Sequence, residues 1–273
     1  KLSALSDPSF ATSHQIYVDA PIAVGEAQVA STNAASDWKT VLVAGTGGGG
    51  SGVFSLDVSD PAAFDASKVM WEFKRTDDTD MGQVIGQPRI MKFKTSGSAS
   101  TATYRWFAVV ASGVNNYVTD AAGNFSATGK PALFLLALDK PVGTSWAEGT
   151  NYFKISIPVD ATLAATAAPG LVNFNALYGA SGEVTDIYMG DLHGKLWKLN
   201  FGQLQPSDWN MDKLSYFNKG TVASPIPYPM FIAKSGSAVQ PITAPPSLFT
   251  GPVVGGKETF YVTFGTGKYL ETA

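Results

Sequence analysis

The chain has no cysteine, two histidines and only three arginines among its 273 residues. The first absence excludes a disulfide framework, thiolate metal sites and a cysteine nucleophile. His14 and His193 lie far apart and in no H-E-x-x-H pairing, so a histidine-based zinc site has no support. Arg75, Arg89 and Arg105 are too few, and the net charge of −3 too acidic, for a nucleic-acid footprint. No cluster of basic residues suits an anionic membrane surface. Long hydrophobic runs are missing too: "PALFLLALD" (131–139) is far shorter than the roughly 20 residues that cross a bilayer. No transmembrane segment is therefore expected. There is no G-x-S-x-G elbow, and no long amphipathic helix.

What is abundant is apolar surface and turns. The chain is 45% hydrophobic and 12% aromatic, with 28 glycines and 16 prolines, which suits a folded, turn-rich protein. Lys1 has no initiator methionine before it, and no signal-peptide pattern follows; the chain reads as a piece of a longer protein.

Four places share one layout, an apolar run ending at or before glycine, a turn and a return run. They are "TVLVAGTGGGGSGVFSLDV" (40–58), "WFAVVASGVNN" (106–116) with "ALFLLALD" (132–139), "TDIYMGDLHGKLWKLNF" (185–201) and "TFYVTFGTGKYL" (259–270). In "GVFSLDV" Phe54, Leu56 and Val58 share one face and Val53, Ser55 and Asp57 the other, the period of a strand. Further strands are expected at 15–21, 69–75, 87–94 and 151–159. Single helical turns are expected at 60–67 and 207–214, and linker-like stretches at 95–102, 119–130 and 160–170. Recurring hairpins with one or two extra strands between them predict an all-β fold, a β-propeller with unequal blades, in one domain over 1–273. A β-sandwich is the alternative. Trp71, Trp106, Trp197, Phe54, Leu56, Phe134, Leu136, Tyr261 and Phe264 are the expected core.

Gly45, Gly47 and Gly50 satisfy G-x-G-x-x-G, but a dinucleotide site needs a helix next, and here a strand follows. A P-loop needs lysine and Ser/Thr after the last glycine, where Val53 follows Gly52. The glycines are expected to turn the chain. No catalytic residue set emerges. Acidic oxygens are the better candidates: Asp77, Asp78 and Asp80 share one loop and can converge on calcium, although nothing visible completes the shell. Asn173, Asn175, Glu183 and Asp186 in "NFNALYGASGEVTD" (173–186) form a second, looser set. Asp191 and His193 in "GDLHGK" are expected in a tight turn, the aspartate as its cap and the histidine exposed.

Six stretches, "HQIYVDAP", "TVLVAGTGGGGSGVFSLDV", "WEFKR" with "DMGQVIGQPRI", "GDLHGKLWKLNF", "QPITAPPSL" and "VTFGTGKYLE", occur in an order that resembles the C-terminal domain of the PilC/PilY family of type IV pilus tip-associated proteins. The resemblance covers essentially the whole chain. It implies a modified β-propeller in an exported bacterial protein at the cell surface, pilus tip or outer membrane; because the family continues on both sides of the matched stretches, it also implies an incomplete ring within these residues. Such a protein supports pilus assembly, opposes retraction, attaches to surfaces or host cells, and has minor pilins as partners. Family members carry an Asp-rich calcium loop before the stretch matching "GDLHGKLW". Here residues 173–186 hold that place with two carboxylates and two amides, so tight calcium binding is not expected and no other cofactor is implied. Two alternatives stand beside a non-enzymatic adhesin: a quinoprotein-like propeller enzyme, whose tryptophan repeats "TDIYMGDLHGKLWKLNF" also resembles, and a structural scaffold that docks pilin subunits.

Overall fold

A computed structural model describes residues 3, 6–30, 34–98, 100–115 and 129–268. Three antiparallel sheets follow one another along the chain, each built from four consecutive strands. The first holds β1 (Ile22–Gln28), β2 (Trp38–Gly45), β3 (Gly52–Asp57) and β4 (Val69–Lys74). The second holds β5 (Arg89–Ser96), β6 (Thr103–Ala111), β7 (Ala132–Ala137) and β8 (Tyr152–Ser156). The third holds β9 (Leu171–Tyr178), β10 (Val184–Asp191), β11 (Lys195–Asn200) and a short outer strand β12 (Phe231–Ile232). Two hairpins end the series: β13 (Lys234–Ser235) with β14 (Ala238–Val239), and β15 (Ser247–Thr250) with β16 (Phe260–Thr263). Among the described residues helix is limited to 3-10 turns and two single-turn segments, α1 (Ala161–Ala164) and α2 (Met211–Leu214). Successive sheets pack face to face, the blade arrangement of a propeller.

The middle sheet explains the least patterned run of the sequence. In β7, Leu133, Leu135 and Ala137 enter a core shared with the third sheet, while Ala132, Phe134 and Leu136 enter one shared with the first. All six are buried, so the strand reads as continuously apolar rather than alternating. The loop after β11 returns Trp209 to the first of these cores. There its ring meets Phe153, Phe93, Phe107 and Phe201 at centroid distances of 5.0, 5.4, 5.7 and 5.8 Å, all within the range of favourable aromatic packing.

Among the described residues the sheets do not close into a ring. The far face of the first one carries a cross-strand row, Val24 opposite Leu42, Leu42 opposite Leu56 and Leu56 opposite Val69. Val24 and Val69 are exposed there. This corrects the expected core: Phe54 and Leu56 lie on that face and are only half-buried, as are Trp106 and Phe264. Tyr261, on the outer strand of the last hairpin, is exposed, whereas Trp71, Trp197, Phe134 and Leu136 are buried.

Three of the four expected hairpins form, as β2–β3, β6–β7 and β10–β11. In the fourth, β16 pairs with the upstream β15 instead, and Tyr269 and Leu270 of its return run lie outside the described residues. So do residues 119–128 of one expected linker. The expected strand at 15–21 is not one; β1 begins at Ile22, and residues 16–19 lie over the glycine loop. The expected linker at 160–170 holds α1, capped by Asp160, whose carboxylate accepts from Thr162 and Leu163 N–H.

Candidate functional site

The stretches that stand out in the sequence meet where the chain crosses from one sheet to the next. Three crossings pass over the ends of β2, β6 and β10. Val84 lies over Gly45, where an added Cβ would stand 2.5 Å from its carbonyl oxygen. Gly113 N–H donates to Leu171 O at 2.7 Å, and Leu171 N–H returns the bond to Gly113 O at 3.1 Å. Ile242 N–H donates to Asp191 O at 3.0 Å, and a Cβ on Gly190 would lie 2.2 Å from the Ile242 side chain. Gly45 and Gly190 therefore serve close approach rather than turning. In the four-glycine run only Gly47 has a left-handed φ, +60°. Gly48 N–H donates to Asp19 Oδ1 at 2.8 Å, and a Cβ on Gly49 would sit 1.8 Å from Tyr17 O. The loop is closed over by "IYVD" rather than open as a phosphate cradle.

Asp191 and Trp197 organise the third hairpin. Asp191 Oδ1 accepts from the N–H groups of His193 and Lys195, both at 2.9 Å, and Oδ2 accepts from Trp197 Nε1 at 2.9 Å. Burial pushes this carboxyl above the usual aspartate range, while the Trp197 and Lys195 N–H groups pull it back. The aspartate caps the turn as the sequence suggests. His193 is not exposed: it is buried, and Nε2 lies 3.0 Å from Ala167 O.

The four polar residues of 173–186 are brought to three different tasks. Asn173 and Asn175 sit in β9 and donate through Nδ2 to Thr243 O and Pro246 O, each at 2.9 Å. They clamp "ITAPPS", in which Pro245 and Pro246 have no N–H to give. Glu183 accepts from Ser181 N–H at 3.0 Å across its own turn. Asp186, in β10, accepts from Asn200 Nδ2 at 2.9 Å and lies 3.4 Å from Lys198 Nζ. Among the described residues no three His, Cys, Asp or Glu side chains are grouped to hold a metal ion.

The acidic loop is more compact. Asp77 accepts from Lys74 N–H at 2.8 Å and forms no ion pair with Lys154. Asp78 and Asp80 are both buried and converge on Lys154 Nζ, at 2.9 and 3.1 Å. Tyr152 donates to Asp78 Oδ2 at 3.1 Å, and Lys130 N–H to Asp80 Oδ1 at 2.8 Å. The cation these two aspartates hold here is an ammonium from β8.

This cluster has a pH signature. Burial alone would depress the Lys154 ammonium, but Asp78 and Asp80 outweigh it and hold its pKa above the ordinary lysine value. Burial, with Asp78 beside it, raises the Tyr152 phenol as well. Both groups bind their proton more tightly folded than unfolded. Their contribution is therefore complete below about pH 10 and is lost as pH rises through the folded-state values. Urea midpoints should fall as pH rises from about 10 to 12, and less steeply in Lys154→Met; a wild-type midpoint that holds or rises there contradicts the assignment.

Three successive four-stranded blades, stitched at their crossings and not closed into a ring, define an incomplete β-propeller. No helix among the described residues is long and apolar enough to cross a membrane. The model of the PilY1 β-propeller domain family matches residues 1–273, and the chain belongs to that family. A type IV pilus biogenesis factor PilY1 homolog of Xylella fastidiosa is 31% identical over 98% of this chain and 16% of its own length. The type IV pilus biogenesis factor PilY1 of Pseudomonas aeruginosa strain UCBPP-PA14 is 29% identical over 99% of this chain and 21% of its own. The crystal structure of the Pseudomonas aeruginosa PilY1 C-terminal domain superposes with a TM-score of 0.64 at 27% identity, over 97% of this chain and 48% of that one. The chain thus spans about half of that solved domain and about a fifth or less of these curated relatives.

Proposed function

We propose that this chain is the propeller part of an exported, non-enzymatic type IV pilus biogenesis factor. In this reading residues 1–273 form a single domain that works at the pilus tip or outer membrane, with minor pilins as partners. It supports assembly, opposes retraction and attaches the pilus to host-cell or abiotic surfaces. The observation that carries the reading is the match of the whole chain to the PilY1 β-propeller family, whose relatives are named as pilus biogenesis factors. Deleting this segment from the parent protein should leave few surface pili by electron microscopy. Removing the retraction motor as well should restore them without restoring attachment. Normal pilus numbers after the deletion would refute the biogenesis role, and failure of motor loss to restore pili would refute the opposition to retraction.

We further propose that the 173–186 stretch is not a tight calcium site. Its amides and carboxylates are engaged with carbonyls, a backbone N–H, Lys198 and Asn200. The two carboxylates, separately committed, suit at best the roughly 10⁻⁴–10⁻³ M affinity of extracellular modules. Calorimetric titration of the metal-stripped chain should show no micromolar binding; micromolar binding abolished by Asp186→Ala would overturn this.

A further inference from the structure

β1, β5 and β9 each lead a four-stranded sheet and lie at its edge. Two of these edges have cover. A bridge joins Lys92 in β5 to Glu183, just before β10, and residues 243–246 are clamped to β9 by Asn173 and Asn175. β1 is different, and its register shows which groups are open. Val29 N–H donates to Asp37 O at 2.7 Å, so the alternate residues Ala27, Gly25 and Ala23 turn their N–H and C=O groups to β2. Ile22, Val24 and Glu26 turn theirs the other way. There Ile22 O accepts from Gln87 Nε2 at 3.2 Å. The backbone N–H and C=O groups of Val24 and Glu26 have no partner among the described residues.

A cleft of about 360 Å³ runs along this edge, and its opposite wall is Pro88, Arg89, Ile90 and Tyr178. That wall is mostly apolar, and its one charge is unanswered. Arg89 Cζ lies 5.9 Å from the centroid of the Phe174 ring, and the guanidinium makes no hydrogen bond or ion pair among the described residues. Glu26 borders the same cleft, but it stands opposite Thr40 on the far face of the first sheet, where the Thr40 hydroxyl donates to its Oε1 at 2.6 Å. An open strand edge is a template for a further extended chain, with backbone bonds supplying affinity and alternate side chains specificity. A strand laid along β1 would turn every second side chain towards Ile90, Tyr178 and Arg89. A carboxylate among them would answer the guanidinium.

We propose that β1 accepts an extended segment of a partner polypeptide as a fifth strand of the first sheet, with a carboxylate side chain on the face turned to Arg89. The site stands independently of the pilus reading. The purified chain is titrated, by fluorescence anisotropy, with a dye-labelled blocked peptide Thr-Val-Glu-Val-Thr. Its analogue with lysine for glutamate, and the glutamate peptide N-methylated at two consecutive residues so that either register loses a donor, are the controls. The glutamate peptide should bind with a Kd of about a millimolar or tighter, and both controls about tenfold more weakly or worse. Val24→Pro removes an N–H that the sheet does not use, the place where an edge strand tolerates proline. It should weaken binding about tenfold or more without moving the urea midpoint. Arg89→Met should erase the preference for glutamate over lysine. No binding of the glutamate peptide at several millimolar, equal binding of either control, or wild-type binding by a folded Val24→Pro protein would each overturn the proposal; if that variant does not fold, the N-methylated peptide decides. Binding by this chain but not by its longer parent protein would show that a segment of the parent covers the edge, and would overturn the assignment to a partner.

Discussion

Gly113→Val should lose on the order of 4 kcal/mol or more, enough to leave little folded protein against a typical total of about 5–15 kcal/mol. Two separate causes add. The backbone at Gly113 has φ +77°, where a β-branched residue is strained, and an added Cβ would lie 1.8 Å from Gln83 O. That carbonyl cannot move aside freely, because it accepts from Val114 N–H at 3.1 Å in the crossing between the first and second sheets. Gly143 provides the control. Its φ is +78°, but nothing lies within 4 Å of an added Cβ, so Gly143→Ala should cost only about 1–2 kcal/mol of backbone strain. Urea unfolding of both variants separates strain from collision. If Gly113→Val unfolds within about 1 kcal/mol of Gly143→Ala, the close approach at the crossing is not what constrains this position.

Trp197→Ala should cost about 3–5 kcal/mol, because a fully enclosed indole is replaced by a cavity in the core between the second and third sheets. Part of the loss is polar, since Asp191 Oδ2 loses the only indole donor it has. Trp197→Phe isolates that part: it keeps a ring in the core but leaves a buried carboxylate oxygen short of a partner, at about 1–3 kcal/mol. Equilibrium unfolding of the two variants gives the split. A Trp197→Phe protein as stable as the parent would mean that Asp191 is satisfied without the indole, and that its pairing with Trp197 adds nothing to the hairpin.

The strands that alternate cleanly, or that run apolar between glycines, could be read directly from the sequence. β2 to β8, β10 and β11 all fall where the apolar runs and the period-two pattern place them. β1 was hidden because "IAVGEAQ" faces the open side of the first sheet with alternate residues and places a glycine mid-strand. β9 was hidden because Asn173 and Asn175 look like loop or ligand residues. The signal was nonetheless present, as Val172, Phe174 and Ala176 alternate with them and are buried. Their amides face proline-rich backbone some seventy residues away, a partnership no local pattern announces. Glycine as a residue type was legible; its reason was not, since a turn and a crossing chain both demand it.

The consecutive order of strands within each blade also bears on how the chain acquires its structure. Pairings within a sheet join neighbours along the sequence, so most loop closures are short and each hairpin can form early and fast. The crossings link only adjacent blades, at Val84, Leu171 and Ile242, so consolidation can follow chain order from the amino end. β7 is the exception that sets the sequence of events. Its Phe134 face can be covered as soon as the first two blades meet, but its Leu135 face stays wet until Phe174, Ile187 and Trp197 arrive from the third. A chain emerging progressively into an unfolded-competent compartment would thus pass through a two-blade intermediate with one apolar face uncovered, the stage at which it is most exposed to aggregation.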